Sequence, residues 1–152
     1  MPLAVVEEIR AIIQTRLETL TAEVEAPTRF GGYRPQDLQV VLNQAGSIEV
    51  EELSYPGNPP AVCHETTFNM RCRLMPSENN TTPKDKLTNA LAASVRAAIR
   101  DGNAWYSFGG NAIDARFGEY EPIEEGDGDI GVLIPLLVRY RFSEDDPTEV
   151  RG

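Results

Sequence analysis

Two sets of side chains alternate without a break from Val62 to Leu74. Val62, His64, Thr66, Phe68, Met70, Cys72 and Leu74 form one set; Cys63, Glu65, Thr67, Asn69, Arg71 and Arg73 form the other. Successive side chains on an extended chain point to opposite sides, so this spacing predicts a long strand with its first set buried and its second set wet or given to a partner. The pattern returns near the C-terminus. Ile130, Val132, Ile134, Leu136, Val138, Tyr140 and Phe142 share one face, and Arg139 and Arg141 alternate with the last of them. Two such strands suit neighbouring places in an antiparallel sheet that is covered on one face.

Helical spacing occurs twice. From Leu3 to Leu20, Val5, Ile9, Ile12, Ile13, Leu17 and Leu20 recur at intervals of three and four, with Glu7, Glu8, Arg10, Gln14 and Glu18 opposite them; this predicts an amphipathic helix. Pro2 suits its first turn, and Pro27 stops it. A second helix follows Thr82, which reads as its N-cap, with Pro83 at the first helical position and Asp85 completing a weak capping box. Leu87, Leu91, Val95, Ala98 and Ile99 make its buried stripe. The row Ala90, Ala92, Ala93, Ala97 and Ala98 allows close approach to a sheet, Arg96 and Arg100 favour its C-terminal end, and Gly102 can close it.

The segments between are read from their breakers. Thr28 to Arg34, with Gly31 and Gly32, predicts a bent or bulged strand closed by Pro35. Leu38 to Asn43 predicts a short strand, Gln44 to Ser47 a turn, and Ile48 to Leu53 a partner pairing back. Tyr55 to Pro60 holds three prolines and reads as a stiff loop. Met75 to Thr82 is a polar connection. Trp105 to Phe108 and Asn111 to Glu119 predict two short strands around Gly109 and Gly110, and Glu121 to Gly128 a Gly-rich acidic loop. No internal repeat is present. The order of elements predicts a single α+β domain over residues 1–152, a mostly antiparallel sheet with two helices packed on one face.

Composition narrows the function more than the fold. At 152 residues and 41% hydrophobic content a core needs no staples. Glu7, Glu8 and Arg10 interrupt any apolar leader, and no window approaches a membrane span, so an intracellular chain is expected. Cys63 and Cys72 lie about 30 Å apart on one extended strand and on opposite faces, too far to pair, so reduced thiols are expected. The net charge of −10 is unevenly spread: residues 119–129 hold six acids and no base, and 143–152 hold four acids and one base in what reads as an acidic C-terminal tail. A chain this acidic lacks the cations that release counterions from phosphates or meet anionic lipid, so neither nucleic-acid binding nor a membrane is expected.

Candidate chemistry is thin. His64 is the only histidine, which excludes any mechanism needing two, and it falls on the apolar face, where a satisfied core or interface histidine is the usual outcome. Its neighbour Cys63 points the other way, so the two do not form a nucleophile and base. A zinc site lacks ligands. The run Glu124-Glu125-Gly126-Asp127-Gly128-Asp129 has the composition of a calcium loop, but the twelfth position from Asp127 is Val138 and not a bidentate Glu. Phosphate loops, dinucleotide fingerprints and nucleophile elbows are absent. The reading is therefore of a protein that is not an enzyme, with no cofactor and no metal, and of one with sheet edges to give to neighbours.

The order of elements also resembles the tail terminator, or neck, proteins of tailed bacteriophages. The shared features are a leading amphipathic helix like Leu3 to Leu20, an Arg-Pro turn like Arg34-Pro35, and a long middle strand like Val62 to Leu74. A helix rich in Ala and Leu like Lys84 to Arg100 follows, and the closing stretch is Tyr140-Arg141-Phe142-Ser143-Glu144-Asp145-Asp146-Pro147. The resemblance implies a virion protein assembled in the host cytoplasm. It would form a hexameric ring that caps the tail tube, ends tube growth and contacts both the tube protein and the head-side connector, with DNA passing through unbound. Glu121, Glu124, Glu125, Asp127 and Asp129 would then face the lumen or the tube, and Arg71, Arg73, Arg139 and Arg141 would belong to subunit or partner contacts. Two other readings stay open: a different head–tail joining or tube-like virion subunit, and a small ligand-binding α+β protein with Trp105, Tyr106 and His64 near a pocket.

Overall fold

A computed structural model describes residues 4–24, 38–50, 61–74, 83–100, 102–124, 130–143 and 146–150. The two alternating stretches are strands β2, Ala61–Leu74, and β5, Ile130–Ser143, and they pair antiparallel over their whole length, from Ala61 opposite Ser143 to Leu74 opposite Ile130. Because the pairing register is in phase with the alternation, Thr66, Phe68, Met70, Cys72 and Leu74 lie on the same side as Ile130, Val132, Ile134, Leu136, Val138 and Tyr140, and all eleven are buried. That face is closed by helix α1, Val5–Val24, and helix α2, Lys84–Ile99. Val5, Ile9 and Ile13 from α1, and Leu87, Leu91, Val95, Ala98 and Ile99 from α2, join it in one core cluster. The protein is thus an α+β fold with a mostly antiparallel sheet and both helices on one face.

Strand β1, Leu38–Glu49, flanks β2 on its far edge. The expected turn at Gln44 to Ser47 is instead a β-bulge in one continuous strand: Gln44 sits opposite Phe68 and Ser47 opposite Thr66, so three steps on β1 match two on β2. Ile48 therefore pairs with β2, opposite Glu65, and not back on Leu38 to Asn43. Gly46 supplies the positive φ of +114° that the bulge requires. Thr66 fixes it from below: its hydroxyl donates to the Gly46 carbonyl and accepts from Gln44 Nε2 at 2.8 Å, while Arg10 Nη2 of α1 donates to Gln44 Oε1 at 3.2 Å.

Three short strands share the other edge of β5. Strand β4, Glu121–Glu124, pairs with Ile130–Leu133; strand β3, Asp114–Phe117, pairs with Leu136–Arg139; strand β6, Asp146–Val150, pairs at Phe142 and Ser143. Pro135 falls at the gap between β4 and β3. The Gly118 amide donates to its carbonyl at 2.9 Å, so its missing N–H faces the gap and costs the sheet no ladder bond.

Several expectations are corrected. The first helix runs four residues past Leu20, to Val24. Pro83 stands at the N-cap of α2 with no side-chain cap bond, one residue earlier than expected; Thr82 lies outside the described residues. Of the alanine row, Ala92 and Ala98 are buried, but Ala93 and Ala97 are exposed, because the helix buries one stripe only. Trp105 to Phe108 is no strand: Trp105–Ser107 form a 3-10 turn between the left-handed residues Ala104 and Phe108. The strand expected over Asn111 to Glu119 shortens to β3. The acidic stretch begins as β4 and not as a loop, and the tail folds back as β6, both because β5 offers an unfilled edge. Cys63, expected to point to water, is 5% exposed. The stretches Thr28 to Arg34, Tyr55 to Pro60 and Met75 to Thr82 lie outside the described residues.

Candidate functional site

The odd-numbered face of β2 and β5 turns away from both helices. The strand registers lay its side chains out in cross-strand rows. Near one end Val41 of β1, Arg71 of β2, Leu133 of β5 and Glu121 of β4 stand in one row. Near the other end the row is Ile48, Glu65, Arg139 and Asp114. From the first row toward the second, Leu133, Pro135 and Leu137 make a half-buried apolar stripe along β5. The whole face is thus an ordered array of alternating charge and apolar surface.

Its charged centre is Glu65. The carboxylate Oε2 accepts from Arg139 Nε at 2.9 Å and lies 3.4 Å from Arg116 Nη1. The hydrogen bond that Arg139 donates to Glu65 pushes the Arg139 pKa above its ordinary value, so that charge is fixed at every accessible pH. The Glu65 side chain is 13% exposed, so the two guanidiniums also give a largely buried carboxylate the partners that burial demands.

At the opposite end Gln39, Val41, Asn43, Arg71 and Arg73 line an open groove of about 350 Å³. The four arginines expected at contacts are therefore two pairs, and the structure does not bring them together. Six residues of strand separate Arg71 from the Arg139 row, about 20 Å. Of the five expected acids, Glu121 is exposed and shares the row of Arg71, Glu124 closes β4, and Glu125, Asp127 and Asp129 lie outside the described residues.

Sequence reasoning missed the part played by the bulge. In β1 before it, the half-buried Val40 and Leu42 pack against the core. The extra residue reverses the phase, so the even-numbered Ile48 faces out with 64% exposure while Ser47 turns toward the helix side. Val41, 52% exposed, joins Ile48 on the side of β1 that faces away from the helices, and among the described residues β1 is an edge strand. Asn-Gln-Ala-Gly-Ser carried a turn signal, and a bulge uses the same glycine.

Trp105 and His64 stand in separate clusters of rings. Trp105 stacks on Phe117 at 5.7 Å, and Arg96 and Arg100 each lie 5.0 Å from the Phe117 ring. His64 belongs to another cluster. Its Nδ1 is 3.0 Å from Ser47 Oγ, which is 2.9 Å from the Tyr140 hydroxyl, and its ring meets Phe142 edge-on at 5.0 Å. The histidine is satisfied, as its position on the apolar face predicts. Among the described residues no group of three metal-ligating side chains is present, and no helix is long and apolar enough to cross a membrane. Comparison with protein-family models and with curated proteins gives no match to this chain.

Proposed function

We propose that this chain is a structural subunit that assembles into a ring, and that the ring is the tail terminator or neck of a tailed bacteriophage: it caps the tail tube, stops its growth and joins it to the head-side connector. The observation that supports this is the one-sided sheet. Two helices close its even face, while its odd face and the edge strand β1 present Val41 and Ile48 to solvent. Ile48, turned out by the bulge, and Val41, turned out by the alternation before it, lie outside the core cluster and suit contact with another chain.

Charge supports the same reading. Six copies at −10 each carry −60, and a ring of that charge repels the DNA that must slide through it. Electron micrographs of the purified protein, alone and with tail-tube protein, test the proposal. Rings, and tubes capped at one end and arrested in length, are the expected result; dispersed single particles and tubes of unchanged length would overturn it.

A further inference from the structure

We infer that the cavity between helix α2 and the link from β3 to β4 binds a small organic oxyanion, a phosphate ester or a carboxylate with an apolar body, on the guanidinium of Arg96. The inference does not depend on the ring reading above.

Arg96, Phe117, Gly118, Glu119 and Tyr120 line this open cavity of about 380 Å³, a volume within the range that small-molecule sites occupy. Its walls are tied down. The Tyr120 hydroxyl donates to Asn89 Oδ1 of α2 at 2.7 Å, and the Gly118 amide donates to the Pro135 carbonyl at 2.9 Å, so the link is fastened both to the helix and to β5. The Arg96 guanidinium lies 5.0 Å over the Phe117 ring, and its Nε is buried with no hydrogen-bond partner. Arg10 Nε is also buried without a hydrogen bond, but it has the Glu7 carboxylate at 3.2 Å. At Arg96 an aromatic face takes that place. The ring attracts the charge and gives the N–H no oxygen acceptor. A guanidinium whose root is shut from water has lost hydration there, so an oxyanion at its Nη fork gains more than it would from a fully exposed arginine. Arg100, 5.0 Å from the same ring and 5.5 Å from that of Trp105, adds a second positive charge nearby. The half-buried rings of Phe117 and Tyr120 suit the apolar body, and the exposed Glu119 opposes the anion.

The test is isothermal titration calorimetry of the full chain with phenyl phosphate, benzoate, inorganic phosphate and benzyl alcohol. Emission from Trp105, the only tryptophan in the chain, is a second readout. Phenyl phosphate or benzoate is expected to bind with a Kd of about 1 mM or below, and the tighter of the two tells a phosphate ester from a carboxylate. Inorganic phosphate lacks the apolar body and benzyl alcohol lacks the charge, so each is expected to bind at least about tenfold more weakly. R96M keeps the apolar stem and is expected to lose at least about tenfold, and R96K, with the charge but not the fork, to fall between. E119Q is expected to bind about twofold more tightly, a gain that damage to the fold does not produce. Circular dichroism confirms that each variant is folded. No heat and no emission change with either organic anion at about 10 mM, or equal binding by the wild type and folded R96M, would overturn the site. Equal binding of phenyl phosphate and inorganic phosphate would overturn the part given to the rings. Each of these results leaves the ring reading standing.

Discussion

Gly118 lies against Pro135 with no room for a side chain. A Cβ built on Gly118 would sit 2.9 Å from Pro135 Cγ, closer than real atoms approach. Gly118→Ala should therefore cost about 1–3 kcal/mol in urea unfolding, and adding Pro135→Ala should recover part of it; an unchanged midpoint for the single variant would mean that the gap between β3 and β4 is loose. Cys72 makes a second residue-scale prediction. Burial pushes its thiol up to about 12 from an ordinary 9.0, and burial also raises Tyr140. Both groups are neutral in the fold. The stability that Cys72 lends is whole below pH 9 and is lost as the pH rises from 9 toward 12, by at most about 1.4 kcal/mol per pH unit, and that of Tyr140 begins to fall only above its ordinary 10.0. Cys72→Val should flatten that alkaline decline in a pH series of denaturation curves, and an unaltered slope would show that another group governs it. Glu65→Gln separates charge from packing. Arg116 and Arg139 are 55% and 42% exposed, so solvent screening limits the loss to about 1 kcal/mol, against about 3–5 kcal/mol for Phe68→Ala in the core.

The bulge in β1 is the element on which the open face depends. Thr66 is 1% exposed and its hydroxyl joins Gln44 and Gly46, so Thr66→Val leaves two polar groups unpaired and should cost about 1–3 kcal/mol. Removing one bulge residue, Ala45, should return Ile48 to the core phase and weaken self-association more than folding. Ile48→Lys should leave the melting temperature nearly unchanged and still weaken it. How far elements can be read in the sequence follows from what specifies them. Strands β2 and β5 were legible because their alternation is in phase across the pair, and α2 because its stripe is regular. β4 and β6 were not, since runs of four and five residues, two of them acidic in each, have no strand pattern of their own; they pair because β5 is long enough to leave an edge. Trp105 to Phe108 carries aromatic strand propensity, but the core takes Phe108 fully inside, and a tight turn delivers it there.

At the scale of the molecule, the helices spend their apolar stripes on one face of the sheet, and among the described residues no helix covers the other. The expected one-sided sheet was legible from alternation alone. The placing of the basic groove and the acidic strand at one height on opposite margins was not, because cross-strand register depends on pairings that no local pattern encodes. The most direct test of the account is the native mass of the assembled protein. Six chains of 16.8 kDa predict a closed particle of about 101 kDa, whereas a 16.8 kDa species at every concentration would contradict the claim that this sheet exists to recruit copies of itself.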